Sequence, residues 1–169
     1  MKKMICLISI VLTYAYGYAQ NNKTSPVKTV LYHPEENATA AITNAIRQAK
    51  AENKQVLIQA GGNWCVWCME FNRFIHADAQ IDSLLKADYV VYHLNYSKEN
   101  KNLAVFEQYH FPQRFGFPVF LILNNKGELI HTQNSAYLEE DKSYSKEKVF
   151  NFLSDWNRAA LNPATYSKQ

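Results

Sequence analysis

The sequence predicts an α/β fold, a central mixed β-sheet flanked by helices on both faces. Three observations carry this reading. Two apolar runs rich in strand formers, residues 55–59 and 89–95, are separated by segments whose apolar residues recur at helical spacing. Two further runs, 119–123 and 128–132, are joined by Asn124-Asn125-Lys126-Gly127, the composition of a hairpin turn. A parallel strand-helix-strand half followed by an antiparallel hairpin and a closing helix makes one mixed sheet with helices on both sides.

Taken in chain order, residues 35–52 form the first predicted helix, with Ala38, Ala41, Ile42, Ala45, Ile46 and Ala49 on one face. Val56, Leu57 and Ile58 are the continuous apolar run of a buried strand, which Gly61-Gly62-Asn63 ends. Residues 65–76 read as a helix carrying Met69, Phe71, Phe74 and Ile75, and 81–86 as a short one after a polar break at Asp78. Residues 103–109 read as a helix with Leu103, Val105 and Phe106 inward, and 146–161 as the last, apolar at Val149, Phe150, Leu153, Trp156 and Ala160. The chain of 169 residues is 47 % hydrophobic and 14 % aromatic, the composition of one well-filled domain.

Lys2 and Lys3 precede the apolar run 4–12, with Gly17 and Ala19 after it, the pattern of a signal peptide over residues 1–19 with cleavage after Ala19. The run is shorter than the roughly 20 apolar residues of a membrane span. The mature protein is expected in the periplasm or secreted. Residues 20–34, with Asn21, Asn22, Ser25 and Pro26, read as a tether of little order, and 35–169 as the domain. Loss of Lys2 and Lys3 leaves 16 of the 18 basic residues against 15 acidic ones, which gives no basic patch for nucleic acid.

Cys6 leaves with the signal, so the mature chain holds Cys65 and Cys68 alone. A two-residue spacer constrains the unfolded chain little, so the pair is a poor staple and its use is sought in chemistry. A His directly after the second cysteine would point to haem attachment, but Met69 stands there, and the five histidines recur at no metal-ligand spacing. A thiolate attacks a disulfide, and the N-terminus of a helix stabilises a thiolate through its free N–H groups and macrodipole. Cys65 at the start of helix 65–76 is therefore the expected nucleophile, and Cys68, one turn in, the resolving thiol. Trp64 and the two glycines are expected to close over and approach the sulfurs.

Trp64-Cys65-Val66-Trp67-Cys68 after the first buried strand, Gly116-Phe117-Pro118-Val119 and Asn125-Lys126-Gly127 together resemble the thioredoxin superfamily across residues 38–161. The resemblance implies a thioredoxin-like fold, a thiol-disulfide oxidoreductase needing no cofactor or metal, and a cis Phe117-Pro118 bond beside the cysteines. The finer likeness is to the exported, thioredoxin-related branch. The superfamily resemblance implies that Phe117 and Pro118 meet the substrate strand; Trp67 at the helix start reads either as exposed, forming an apolar rim with Trp64, Phe117 and Phe115, or as packed back on Phe71 or the neighbouring loop. Departures are also present. Thioredoxins keep a buried Asp where this chain has Gln59, a nearby Lys where it has His93, and Gly-Pro where it has Val66-Trp67. Gln59 cannot take a proton from Cys68; His93, with an ordinary pKa near neutrality, is the replacement to consider. No imidazole in the spacer and no cation at Met69 favour a reductase, kept as a dithiol by a membrane redox partner and acting on exported proteins as a monomer. Two other uses of the pair are open at this point: copper or other metal handling with a histidine, and a structural disulfide in a folding or binding module.

Overall fold

The computed structural model describes residues 30–167. The expected signal segment and most of the expected tether lie outside the described residues. Eleven regular elements follow in chain order: α1 (Ala38–Glu52), β1 (Gln55–Gly61), α2 (Val66–Ala77), α3 (Ala79–Asp88), β2 (Tyr89–Asn95), α4 (Leu103–Gln108), β3 (Val119–Leu123), β4 (Leu129–Asn134), β5 (Glu139–Glu140), β6 (Ser143–Tyr144) and α5 (Lys146–Asp155).

The main sheet has the order β2-β1-β3-β4, with β1 and β2 parallel and the other neighbours antiparallel. It is the mixed sheet the sequence predicts. Strand residues alternate faces, and here the alternation divides the core in two. Val56, Ile58 and Ala60 of β1, with Val90, Leu94, Val119, Leu121 and Leu123, pack under α1 and α4. Leu57, Tyr89, Phe120 and Ile122 point the other way, under α2, α3 and α5. Both faces are covered because the apolar runs of β1 and β3 leave no polar face to water.

Several boundaries shift for local reasons. The first helix starts at Ala38, three residues later than expected, because the Asn37 carboxamide accepts the Ala40 N–H at 3.0 Å as its cap. Asp78 does more than break the chain: its carboxylate accepts the N–H groups of Gln80 and Ile81, so the second short helix begins at Ala79. Leu103 is corrected from inward to exposed; it opens α4, where only Val105 and Phe106 reach the core. In α5 the buried stripe is Val149, Phe152 and Leu153 with Trp156 partly buried, so Phe150, expected inward, faces out. That helix ends at Asp155, short of the expected 161. The β5-β6 ribbon was not legible in the sequence, since two-residue strands carry no periodicity.

The last correction concerns the segment expected to be a loose tether. Tyr32 is completely buried, and Leu31, Tyr32 and Pro34 are tied to the domain by hydrogen bonds. The Asn63 side chain accepts the N–H groups of Leu31 and Tyr32 at 3.0 and 3.2 Å and donates to the Tyr32 carbonyl at 2.7 Å. Asn100 donates to the Pro34 carbonyl at 3.0 Å.

Phe71 is the hub of the α2 face, fully buried with its ring 4.3 Å from that of Phe120 and 5.0 Å from that of Tyr144, centroid to centroid. Phe71→Ala is expected to lower stability by about 3–5 kcal/mol, the range for deleting a buried aromatic ring and leaving a cavity. Chemical denaturation of the two proteins measures the difference.

Candidate functional site

The site is built where β1 turns into α2. β1 runs through Gly61, two residues beyond the expected end, and Gly62, Asn63 and Trp64 make the turn, closed by the Cys65 N–H donating to the Gly62 carbonyl at 3.0 Å. Cys65 is the N-cap of α2 in extended conformation. Its Sγ accepts the Cys68 N–H at 3.1 Å, the place a Ser or Asp oxygen takes in an ordinary cap. The two cysteines form a disulfide with Cα atoms 5.2 Å apart. Cys65 keeps 5 % of its surface exposed and Cys68 none. Both are thus buried in the disulfide form, Cys68 the more completely.

Close approach fixes the geometry behind the disulfide. A Cβ on Gly61 would run into Cys68 Sγ and would stand 3.0 Å from the Tyr32 hydroxyl, so only glycine fits. A Cβ on Gly62 would collide with the Trp64 indole. Trp64 lies over Gly62, donates from Nε1 to the Tyr96 carbonyl at 2.7 Å and meets Phe117 edge-on, while 57 % of it stays exposed. Trp67 takes the packed-back arrangement of its two readings, on Tyr144. Trp67 is half-buried, edge-on to Tyr144 and packed against the Tyr32, Cys65 and Cys68 cluster, and the residue that stands out is Val66 at 80 % exposure. The Tyr144 hydroxyl donates to the Trp67 carbonyl at 3.0 Å and so holds the first turn of α2 in place.

The Phe117-Pro118 peptide bond is cis. Phe117 is neither wholly core nor wholly surface. It packs on the sulfur cluster and on the α1 face of the core, and its ring meets those of Trp64, Tyr96 and Phe106. Phe115 is exposed, with the Arg114 guanidinium 4.3 Å over its ring.

Gln59 and His93 stand opposite each other in the β1-β2 register. Both occupy odd positions, so strand alternation turns them toward the α2 face with Leu57. The Gln59 amide donates to the Tyr32 hydroxyl at 2.8 Å and to the Cys68 carbonyl at 2.9 Å, while its Oε1 is buried without a partner. His93 Nε2 is also buried without a partner, and its ring meets Tyr32 edge-on. Burial pushes the His93 pKa down to about 4, so it is neutral at pH 7. Burial likewise pushes the Tyr32 phenol far up, with the Gln59 hydrogen bond opposing, so it keeps its proton. Tyr32 and the latching role of Asn63 are missing from the sequence reading. The one signal for Tyr32 is the apolar triplet Val30-Leu31-Tyr32 in an otherwise polar stretch. Among the described residues no three His, Cys, Asp or Glu side chains come close enough to share a metal ion.

Two outcomes follow from this geometry. Gly61→Ala is expected to push β1 and α2 apart and to cost about 2 kcal/mol or more, the range for overpacking a filled site, read by thermal or chemical unfolding of the oxidised protein. The second concerns acid. His93 has a folded pKa of about 4 against an unfolded value near 6.5, so the unfolded chain takes up a proton first as the pH falls, and stability declines from pH 6.5 down to about 4. The decline attributable to this group is at most about 3 kcal/mol. His93→Gln is expected to flatten that part of the stability-pH curve.

Among curated proteins none matches the chain. Solved structures do. A disulphide isomerase from Xylella fastidiosa Temecula1 is 20 % identical, with a TM-score of 0.66 over 75 % of this chain and 96 % of that one. A thioredoxin from Thermus thermophilus is 18 % identical, with a TM-score of 0.51 over 78 % and 89 %. The C-terminal domain of DsbD from Neisseria meningitidis, in its reduced form, is 16 % identical, with a TM-score of 0.53 over 70 % and 96 %. At these identities the likeness is one of fold. The profile of a family described as thioredoxin-like matches residues 37–125, more than half of the sequence and all of the turn that carries Cys65 and Cys68, and the chain belongs to that family.

Proposed function

We propose that the protein is a thiol-disulfide oxidoreductase in which Cys65 is the nucleophile and Cys68 the resolving thiol. The observation that carries this reading is the placement of Cys65 Sγ as the N-cap acceptor of α2, with the Cys68 N–H aimed at it. In the reduced protein that N–H and the positive end of the helix favour the Cys65 thiolate. Cys65 then attacks a substrate disulfide, one substrate sulfur leaves, and Cys68 attacks Cys65 Sγ to release the other. The buried position of Cys68 delays its reaction with anything but the mixed disulfide.

The substrates in this reading are disulfides of exported proteins, and the groove beside Phe117 and Pro118 receives the polypeptide. Trp64 is a ridge between two surface depressions. One of about 360 Å³ is lined by Trp64, Tyr96, Lys98 and Lys101, and one of about 330 Å³ by Asn63, Trp64, Val66 and Arg73. With Trp67 packed back on Tyr144, the exposed apolar contacts next to the disulfide come from Trp64 and Val66.

The favoured direction is reduction, with a membrane redox partner restoring the dithiol. The spacer offers no imidazole to the Cys65 thiolate, and Glu70, two residues after the second cysteine, is paired with Arg73, which holds its carboxyl below the usual range. A thiolate stabilised only moderately leaves the disulfide form favoured, which makes the dithiol a donor.

Alkylation at mildly acidic pH is expected to modify Cys65 in the Cys68→Ser protein at least tenfold faster than Cys68 in the Cys65→Ser protein; equal rates would reverse the assignment. Trapping the redox state in intact cells is expected to find the dithiol. A population held almost wholly as disulfide would overturn the reductase direction.

A further inference from the structure

The space behind Cys68 differs from what the resemblance implies. Where a carboxylate is expected on β1, Gln59 stands, and the polar atom facing the sulfur side of Gly61 comes from outside the sheet, from Tyr32. Tyr32, Cys65 and Cys68 form one buried cluster. The Tyr32 hydroxyl and Cys68 Sγ close the same gap above Gly61, since a single added Cβ there would meet both.

The hydrogen bonds fix which way the phenol proton can go. The Gln59 amide must present its nitrogen to the Cys68 carbonyl, which can only accept, and the same nitrogen donates to the Tyr32 oxygen at 2.8 Å. The tyrosine oxygen is thus an acceptor toward Gln59, and its own proton has no acceptor among the side chains that hold it. His93 meets the tyrosine through its ring edge, a ring-to-ring contact 5.4 Å between centroids. In the disulfide form the sulfurs carry no charge to attract that proton. Opening the bond creates one.

We propose that the Tyr32 hydroxyl is the hydrogen-bond donor to the Cys68 thiolate whenever the Cys65–Cys68 bond opens, a positioning role that replaces the missing carboxylate on β1. The inference rests on the oxidoreductase reading above. When a thiolate attacks Cys65 Sγ, a new sulfur-sulfur bond forms to Cys65, the Cys65–Cys68 bond breaks, and its electron pair leaves on Cys68 Sγ. No proton is transferred in this step; the phenol keeps its proton and turns it toward the new charge. In the reverse step the Cys68 thiolate gives up that hydrogen bond as it attacks Cys65 Sγ and expels the bound thiolate. Gln59 holds the phenol oxygen, and Asn63 holds the Tyr32 backbone at both its N–H and its carbonyl, so the donor is prepositioned.

The test compares Tyr32→Phe with the unsubstituted full chain, in two backgrounds. With Cys65→Ser isolating Cys68, Tyr32→Phe is expected to raise the Cys68 pKa by about one unit, a tenfold loss of thiolate at a given pH. With both cysteines present, it is expected to slow reduction by dithiothreitol about tenfold and to move the equilibrium with glutathione toward the disulfide. An unchanged Cys68 pKa and an unchanged rate, in a protein that cycles normally, overturn the role of Tyr32 and leave the redox reading standing. A disulfide that dithiothreitol does not open in either protein overturns both. Should Tyr32→Phe fail to fold, the Cys65→Ser chain labelled with 13C at the tyrosine ζ carbon serves instead. A Tyr32 resonance that shifts with the Cys68 titration supports the hydrogen bond, and one that stays fixed through it refutes it.

Discussion

At Gly61 the end of β1 passes so close to Cys68 that no side-chain atom fits between them. That contact sets the depth of α2 against the sheet, and much of the site depends on it. It places Cys68 at zero exposure while Cys65, one turn earlier, keeps 5 % of its surface exposed. It also leaves room for the Tyr32 hydroxyl and for the Gln59 amide, which ties that hydroxyl to the Cys68 carbonyl. An interior of this density transmits small displacements, so a shift of α2 away from β1 would disturb the phenol, the amide and the sulfur together.

The polar groups beneath the disulfide are costly to keep there. Gln59 Oε1 and His93 Nε2 are buried without partners among the described residues, and burial of an unpaired polar atom costs about 1–3 kcal/mol. Neutral groups make this cost tolerable; an isolated carboxylate at Gln59 would bring a far larger one. The pocket therefore supplies polarity without charge.

The mixed sheet with helices on both faces was legible from the sequence because apolar runs and helical spacing are local patterns, and they survive in β1, β2, β3 and α1 with few errors. The errors fall where two helical phases compete. In α5, Phe150 and Phe152 are both aromatic, and only packing under the sheet chooses Phe152. The cysteines and the cis Phe117-Pro118 bond were legible through resemblance. Trp67 was not, since its burial depends on Tyr144, 77 residues away and on a ribbon too short to leave a pattern. Tyr32 escaped for the same reason: a side chain that enters the core from a segment without regular structure is recognised only by its partners, and Asn63 and Gln59 are distant in sequence.

The Asn63 latch bears on where this protein begins as a physical object. The family match starts at residue 37, yet Asn63 accepts hydrogen bonds from Leu31 and Tyr32, and the Tyr32 ring fills the space behind the sulfurs. A chain cut at that boundary would keep Cys65, Cys68 and, among the described residues, every strand and every helix, and would still lack the wall that Tyr32 makes behind the sulfurs. Water would enter through the gap and compete for the Gln59 amide, so the shortened chain would carry the family's motif on a wetter and differently poised disulfide.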